Sequence, residues 1–186
     1  ISGTHDLALA HAVLDALAAG GPVRLPRFDK LADDRLPESE WPRIQRPLDL
    51  LVLEGWFLGT PAEPDAALRS PLNPLERDED GDGRWRRYCN QALRDHYPRL
   101  WARFDRLWLL QAPDFAIVPA WRWQQEQALQ AAQPQRTGMS RAQVERFVQF
   151  YERTSRHALR TLPALADRVV ALDERRVPQL HAPAPR

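Results

Sequence analysis

Two features of this sequence could do chemistry on a charged small molecule. One is a carboxylate at the end of an apolar run, Leu48-Asp49-Leu50-Leu51-Val52-Leu53-Glu54-Gly55-Trp56. The other is the charged cluster Phe28-Asp29-Lys30-Leu31-Ala32-Asp33-Asp34-Arg35. The apolar run reads as a buried strand, and in parallel α/β sheets ligands bind at the carboxyl ends of the strands. Glu54 is therefore placed to hold the water shell of Mg²⁺, because magnesium keeps most of its waters and takes few direct protein ligands. Arg35 and Lys30 offer cations for an acid group, and Asp29, Asp33 and Asp34 offer acceptors for hydroxyls. A carboxylate for a metal and a cation for an acceptor are parts that phosphoryl transfer uses. Trp56 directly follows the strand end and could line the pocket.

The elements that must position these groups can be read from periodicity. Leu7, Leu14 and Leu17 recur at helical spacing from Leu7 to Ala19, with Thr4 or Asp6 as cap and Gly20-Gly21 as stop. Pro22 and Pro26 confine Pro22 to Phe28 to a weak edge strand, whereas Leu48 to Leu53 is a strong one. Thr60 to Pro74 is expected as a surface loop. A helix then starts at Asp82 or Gly83, with Trp85, Tyr88, Cys89, Ala92 and His96 as its inward stripe, and Pro98 interrupts it. Leu107 to Leu110 is a second buried strand.

The main helices come next, from Pro119 to Ala132 and, after a mobile loop from Gln133 to Met139, the longest one. Ser140 and Gln143 form a capping box for it, and Val144, Phe147, Val148, Tyr151, Ser155, Ala158, Leu159 and Leu162 trace one face until Pro163. Arg168 to Leu172 is a third strand, Asp173-Glu174 a turn, and His181 to Arg186 a loose tail. Strands separated by long helices imply an α/β domain over residues 1–180, with a mostly parallel sheet covered on both faces.

Composition narrows the function. A chain of 186 residues buries roughly 70% of its unfolded surface and needs no staple. With 26 basic and 25 acidic side chains there is no net field to draw nucleic acid or an anionic membrane, so neither partner is expected. Lys30 is the sole lysine among the basic residues, which is a coding bias. Cys89, the single cysteine, excludes an internal disulfide and a multi-cysteine metal site and fits a reducing compartment, with cytosol as the default. No apolar stretch approaches the ~20 residues that span a bilayer. Asp78-Glu79-Asp80-Gly81-Asp82-Gly83 imitates a calcium loop, but Cys89 stands where the bidentate glutamate is required, so a solvated turn and helix start is preferred. The histidines lack metal-binding spacing, and no Gly-x-Ser-x-Gly elbow occurs.

Several ordered segments together resemble a known family. They are Gly3-Thr4-His5-Asp6, Leu25-Pro26-Arg27-Phe28-Asp29-Lys30 with Asp33-Asp34-Arg35, Leu53-Glu54-Gly55-Trp56, Leu72-Asn73-Pro74-Leu75-Glu76, Gln111-Ala112-Pro113-Asp114-Phe115, Trp121-Arg122-Trp123-Gln124-Gln125-Glu126 and Tyr151-Glu152-Arg153-Thr154. The chain resembles the glycerate kinase branch of the phosphoribulokinase and uridine kinase superfamily. The resemblance implies a three-layer αβα P-loop kinase fold. It also implies phosphorylation of a small hydroxy acid, D-glycerate first, with ATP and Mg²⁺ as cofactors. By it, Glu54 matches the strand-end Mg²⁺ carboxylate, acting through water, and Asp29, Lys30, Asp34 and Arg35 fall in the acceptor-binding segment. Arg122, with Gln125 and Glu126 on its helix, looks like part of the lid over the phosphates, which the loop from Gln133 to Met139 lets move.

One departure is large. The sequence contains no Gly-x-x-x-x-Gly-Lys-Ser/Thr, nor the strand before that motif, nor the aspartate-rich segment from which the family draws its general base. Such a strand would be central, so its absence would leave Leu48 to Leu53 and Leu107 to Leu110 with unpaired backbone. The chain is thus expected to be the C-terminal part of a longer protein, inactive alone. The alternative is a shortened kinase-like module that binds without catalysis. Nothing in the sequence reports the oligomeric state.

Overall fold

The first helix, α1 (Leu7–Ala18), begins where periodicity places it. The Asp6 side chain accepts a hydrogen bond from Leu9 N at 2.9 Å, satisfying one free amide of the first turn. Gly20, at φ +70°, makes the left-handed turn beyond its end. The computed structural model describes residues 2–29, 32, 34–135 and 137–179. Lys30, Asp33 and the expected tail from His181 to Arg186 lie outside the described residues. The chain forms two compact units, His5–Glu54 and Ile1–Thr4 with Gly55–Arg186. Among the described residues no helix is long and apolar enough to cross a membrane.

In the unit His5–Glu54 the single weak strand expected at Pro22 to Phe28 is two pieces, divided around Pro26. β1 (Val23–Arg24) pairs antiparallel with β4 (Arg43–Ile44), and β2 (Phe28–Asp29) pairs antiparallel with β3 (Asp34–Arg35). The apolar run Leu48 to Leu53, expected as a buried strand, is not one. It has no ladder partner, and Leu50 and Val52 are 78% and 77% exposed. A strand needs a neighbour to take its N–H and C=O groups, and none of the described strands pairs with this run.

The other unit is built on a mixed sheet. β5 (Trp108–Gln111) runs parallel to β6 (Arg168–Leu172), with Trp108 opposite Arg168 and Gln111 opposite Ala171, and β7 (Pro178–Gln179) adds antiparallel to β6. The crossover between the parallel strands is made by α5 (Val118–Ala132) and α6 (Arg141–Leu165). The capping box is present as its spacing predicts: Gln143 N bonds Ser140 Oγ at 3.3 Å and Ser140 N bonds Gln143 Oε1 at 2.7 Å. Helix α6 runs two residues past Pro163, because Leu162 is held in the core and Ala166 N still bonds Leu162 O at 2.8 Å. Strand β5 is covered on one face only, since Trp108 and Leu110 are 67% and 66% exposed.

The helix after the acidic run, α3 (Arg84–Asp95), presents a different face from the one its aromatics suggest. Its buried residues are Arg86, Asn90, Ala92 and Leu93, while Trp85, Tyr88 and His96 are exposed. Buried hydrogen bonds outweigh apolarity here. Arg86 Nε donates to Leu68 O at 2.8 Å and its Nη1 pairs with Asp80 Oδ2 at 3.1 Å. Asn90 accepts from Glu63 N at 2.7 Å and donates to Glu63 O at 3.0 Å, as a strand neighbour would. Asp80, in the run that imitates a calcium loop, caps the helix by accepting from Trp85 N and Arg86 N. Burial pushes the Cys89 thiol up to about 11, which keeps it protonated at neutral pH.

The segment Thr60 to Pro74, expected as a surface loop, is anchored instead, with Thr60, Glu63 and Leu68 buried. Arg153 of α6 is the anchor. Its Nε and Nη2 grip both oxygens of Glu76 at 2.7 and 2.6 Å, Nη1 reaches Glu63 Oε2 at 3.3 Å, and the remaining N–H groups bond Ala67 O and Ser70 O, both at 2.9 Å. Asn73 caps α2 (Pro74–Glu79) and donates to Gln149 O at 3.0 Å. Removing one partner of a buried charge cluster strands the rest. Arg153→Ala is expected to lose about 3–5 kcal/mol in urea unfolding, and Arg153→Lys, lacking the two-pronged fork, to recover only part of it.

Candidate active site

The residues after Glu54 turn sharply, and a glycine makes the turn possible. Gly59 sits at φ +79°, where a side chain is strained, and a Cβ there would lie 2.6 Å from Leu107 Cδ2 and force that leucine to move. The turn sets Trp56 and Phe57 against Tyr151 of α6, with ring centroids 4.9 Å apart edge-on and 5.9 Å apart stacked. Phe147 closes the cluster at 5.1 Å from Tyr151. The Arg122 guanidinium lies 5.6 Å from the Phe147 ring centroid and donates from Nη1 to Glu126 Oε2 at 3.0 Å.

A cleft of about 420 Å³ opens beside these groups, lined among others by Trp56, Leu110, Trp121, Arg122, Gln125 and Arg176. Ala112, just beyond the carboxyl end of β5, also lines it, which is where parallel α/β sheets place ligands. Arg176 sits in the turn after β6 at φ +63°, with its guanidinium 5.2 Å from the Trp121 ring centroid. Its Nη2 donates to Trp121 O and Gln124 Oε1, both at 3.0 Å, and Trp121 Nε1 donates to Glu174 O at 2.9 Å. The cleft thus carries two arginines on aromatic supports, a surface suited to a planar or anionic ligand.

In the unit His5–Glu54, the hairpin of β2 and β3 sets Asp29 opposite Asp34 and Phe28 opposite Arg35. Asp34 Oδ1 accepts from Arg35 N at 2.7 Å, and Asp29 Oδ1 accepts from Ala32 N at 3.4 Å. Arg35 Nη1 pairs with Asp6 Oδ2 at 2.8 Å, with both side chains about half-exposed. Glu54 is exposed and forms no hydrogen bond or ion pair among the described residues.

No protein-family model matches the chain. It is 31% identical over 187 residues to the chloroplastic D-glycerate 3-kinase of Arabidopsis thaliana, a match covering 92% of this chain and 38% of that protein. It is 32% identical over 159 residues to the uncharacterized kinase mug58 of Schizosaccharomyces pombe, covering 81% of this chain and 55% of the relative. The solved structure of the D-glycerate 3-kinase from Cryptococcus neoformans superposes with a TM-score of 0.73 at 24% identity, over 95% of this chain and 66% of that one, and so supports the α/β fold. Its relatives are D-glycerate 3-kinase and kinase-like proteins, consistent with the D-glycerate kinase-like family of P-loop kinases. It spans 38% and 55% of the lengths of the two curated relatives.

Within this glycerate kinase-like chain, the structure joins Trp56 and Arg122 in one cleft and Asp29, Asp34 and Arg35 on one hairpin. Lys30, the other cation expected to bind the acceptor, is outside the described residues. Two features escaped sequence reasoning. The turn expected at Asp173-Glu174 is present, but Arg176 follows it in a left-handed conformation that no glycine signals, with Asp173 Oδ1 accepting from Arg175 N and Val177 N at 2.9 and 2.8 Å. Asp6 was read as a helix cap, which it is, but its second oxygen holds Arg35.

The Asp6 carboxyl is held below the usual carboxylate range, first by the Leu9 N–H and then by Arg35. A depressed carboxylate adds stability above its unfolded pKa and loses it as pH falls through the folded one. In Arg35→Ala, carboxyl NMR titration is expected to find Asp6 moved upward yet still below an ordinary aspartate, since the Leu9 N–H remains. An unchanged Asp6 titration would show that the pair does not form in solution.

Proposed function

We propose that this chain carries the acceptor and lid side of an ATP-dependent kinase that transfers a phosphoryl group to a hydroxyl of a small hydroxy acid, D-glycerate first. The observation that carries the reading is Arg122. It lines a cleft at the carboxyl end of parallel strands and is anchored by a single Nη, with no further hydrogen bond among the described residues. An arginine so placed can meet the charge on a transferred phosphoryl group, an effect worth on the order of 10³ to 10⁵ in rate. The family relatives named D-glycerate 3-kinase supply the choice of acceptor.

The other residues take supporting roles. Glu54, an exposed carboxylate with hard oxygens and no partner among the described residues, fits the water shell of Mg²⁺, which when bound neutralises charge on the nucleotide phosphates. Arg35 and Lys30 bind the acceptor's carboxylate, and Asp29 and Asp34 accept from its hydroxyls. For Arg35 this means sharing its guanidinium with Asp6. Trp56 walls the cleft that Arg122 lines.

The phosphate cradle is a different matter. The motif Gly-x-x-x-x-Gly-Lys-Ser/Thr is missing from this sequence, so these residues do not hold the nucleotide's phosphates by themselves. The exposed apolar run from Leu48 to Leu53 and the exposed side chains of β5 fit segments that pair with a further strand.

The test is glycerate-dependent ADP release by the protein expressed from its complete reading frame. Glu54→Gln is expected to lower kcat by about 10² or more, and Arg35→Ala to raise the KM for the hydroxy acid about tenfold with a smaller change in kcat. Full activity in both variants would overturn these roles. Absence of ADP release with any hydroxy acid would favour the non-catalytic binding module.

A further inference from the structure

Glu126 is a carboxylate with no exposed surface, on the same helix as Arg122 and one turn further on. Its two oxygens do different things. Oε2 accepts from Arg122 Nη1 at 3.0 Å, and Oε1 accepts from Met139 N at 3.0 Å, at the far end of the connection between α5 and α6. An ion pair at this spacing is ordinarily a weak surface feature, as Arg141 and Glu145 show on α6, where both side chains are exposed. The pair at Arg122 is of another kind, because a buried carboxylate must keep its partner or bear a large desolvation cost. Phe147 lies under the same guanidinium at 5.6 Å and limits its swing from the other side.

We propose that Glu126 is the positioning residue for Arg122: it fixes one edge of the guanidinium so that the other edge faces the cleft, and ties that orientation to the Met139 end of the connection. The proposal rests on the reading of Arg122 given above. Glu126 touches no substrate. It acts by removing the orientational freedom that a long arginine side chain would otherwise lose in the transition state. One carboxylate therefore serves both Arg122 and Met139 N, and a change that frees Arg122 also loosens the backbone before α6.

The experiment is a double-mutant cycle on the protein from its complete reading frame, read as kcat and KM for both substrates. Glu126→Gln keeps the shape and an acceptor for Met139 N while removing the charge. It is expected to lower kcat about tenfold or more, with both KM values within about threefold of wild type. In an Arg122→Ala background the same substitution is expected to change kcat by less than about twofold, because nothing remains to be positioned. Glu126→Asp, which keeps the charge and draws it back by one methylene, should show the same kcat-specific loss and serves if the glutamine variant does not fold. Equal fold-losses in the two backgrounds, or wild-type kcat in both Glu126 variants, would overturn the proposal. Wild-type kcat in Arg122→Ala alone would instead remove the role of Arg122 and the proposal with it, and that single variant tells the two failures apart.

Discussion

Buried charge must be paired, and in the unit carrying α6 that constraint organises nearly everything else. Arg153 commits every N–H of its guanidinium to Glu76, Glu63 and two backbone carbonyls, which leaves the segment from Glu63 to Glu76 little freedom. Arg86 ties down the start of α3 through Asp80 and Leu68 O. The cost of desolvating these ions is offset only while each partner stays in place, so the cluster contributes uniqueness of structure more than net stability.

Helix α6 turns that rigidity into a site. Residues two apart on a helix point about 200° away from each other, so Tyr151 and Arg153 face nearly opposite sides. Arg153 clamps the polar network on one side. On the other, Tyr151 receives Trp56 and Phe57 from the turn after Glu54, while Ser155 and Leu159 form a wall of the cleft. The side that needs precision is thus built on a helix that cannot roll, because its back is pinned by charge.

Helices were legible in the sequence where capping chemistry is local. Asp6 before α1 and the Ser140–Gln143 box before α6 are satisfied by residues within one turn, so neighbours in the chain suffice to find them. Features that depend on distant partners were not legible. The run Leu48 to Leu53 has every property of a strand except a neighbour, and apolarity alone cannot supply one. The buried face of α3 was misjudged because Arg86 and Asn90 are kept inside by carbonyls of Leu68 and Glu63, contacts that periodicity does not see. For the candidate site, residue types and an expected strand end pointed to Glu54 and Trp56, and the family resemblance pointed to Arg122. The Phe147 ring beside Arg122 and the Trp121 ring beside Arg176 are tertiary contacts, and only the structure shows them.

The central proposal is that Arg122, in the cleft it lines with Trp56 and Arg176, meets the phosphate charge of the nucleotide during transfer. A crystal structure of the protein from its complete reading frame with MgADP and D-glycerate tests it most directly. The account predicts a nucleotide phosphate within hydrogen-bond reach of the Arg122 guanidinium, with Glu126 still paired behind it. Nucleotide bound instead in the separate cavity of about 250 Å³ lined by Trp85, Phe150 and Arg153, with Arg122 making no contact to it, would contradict the account.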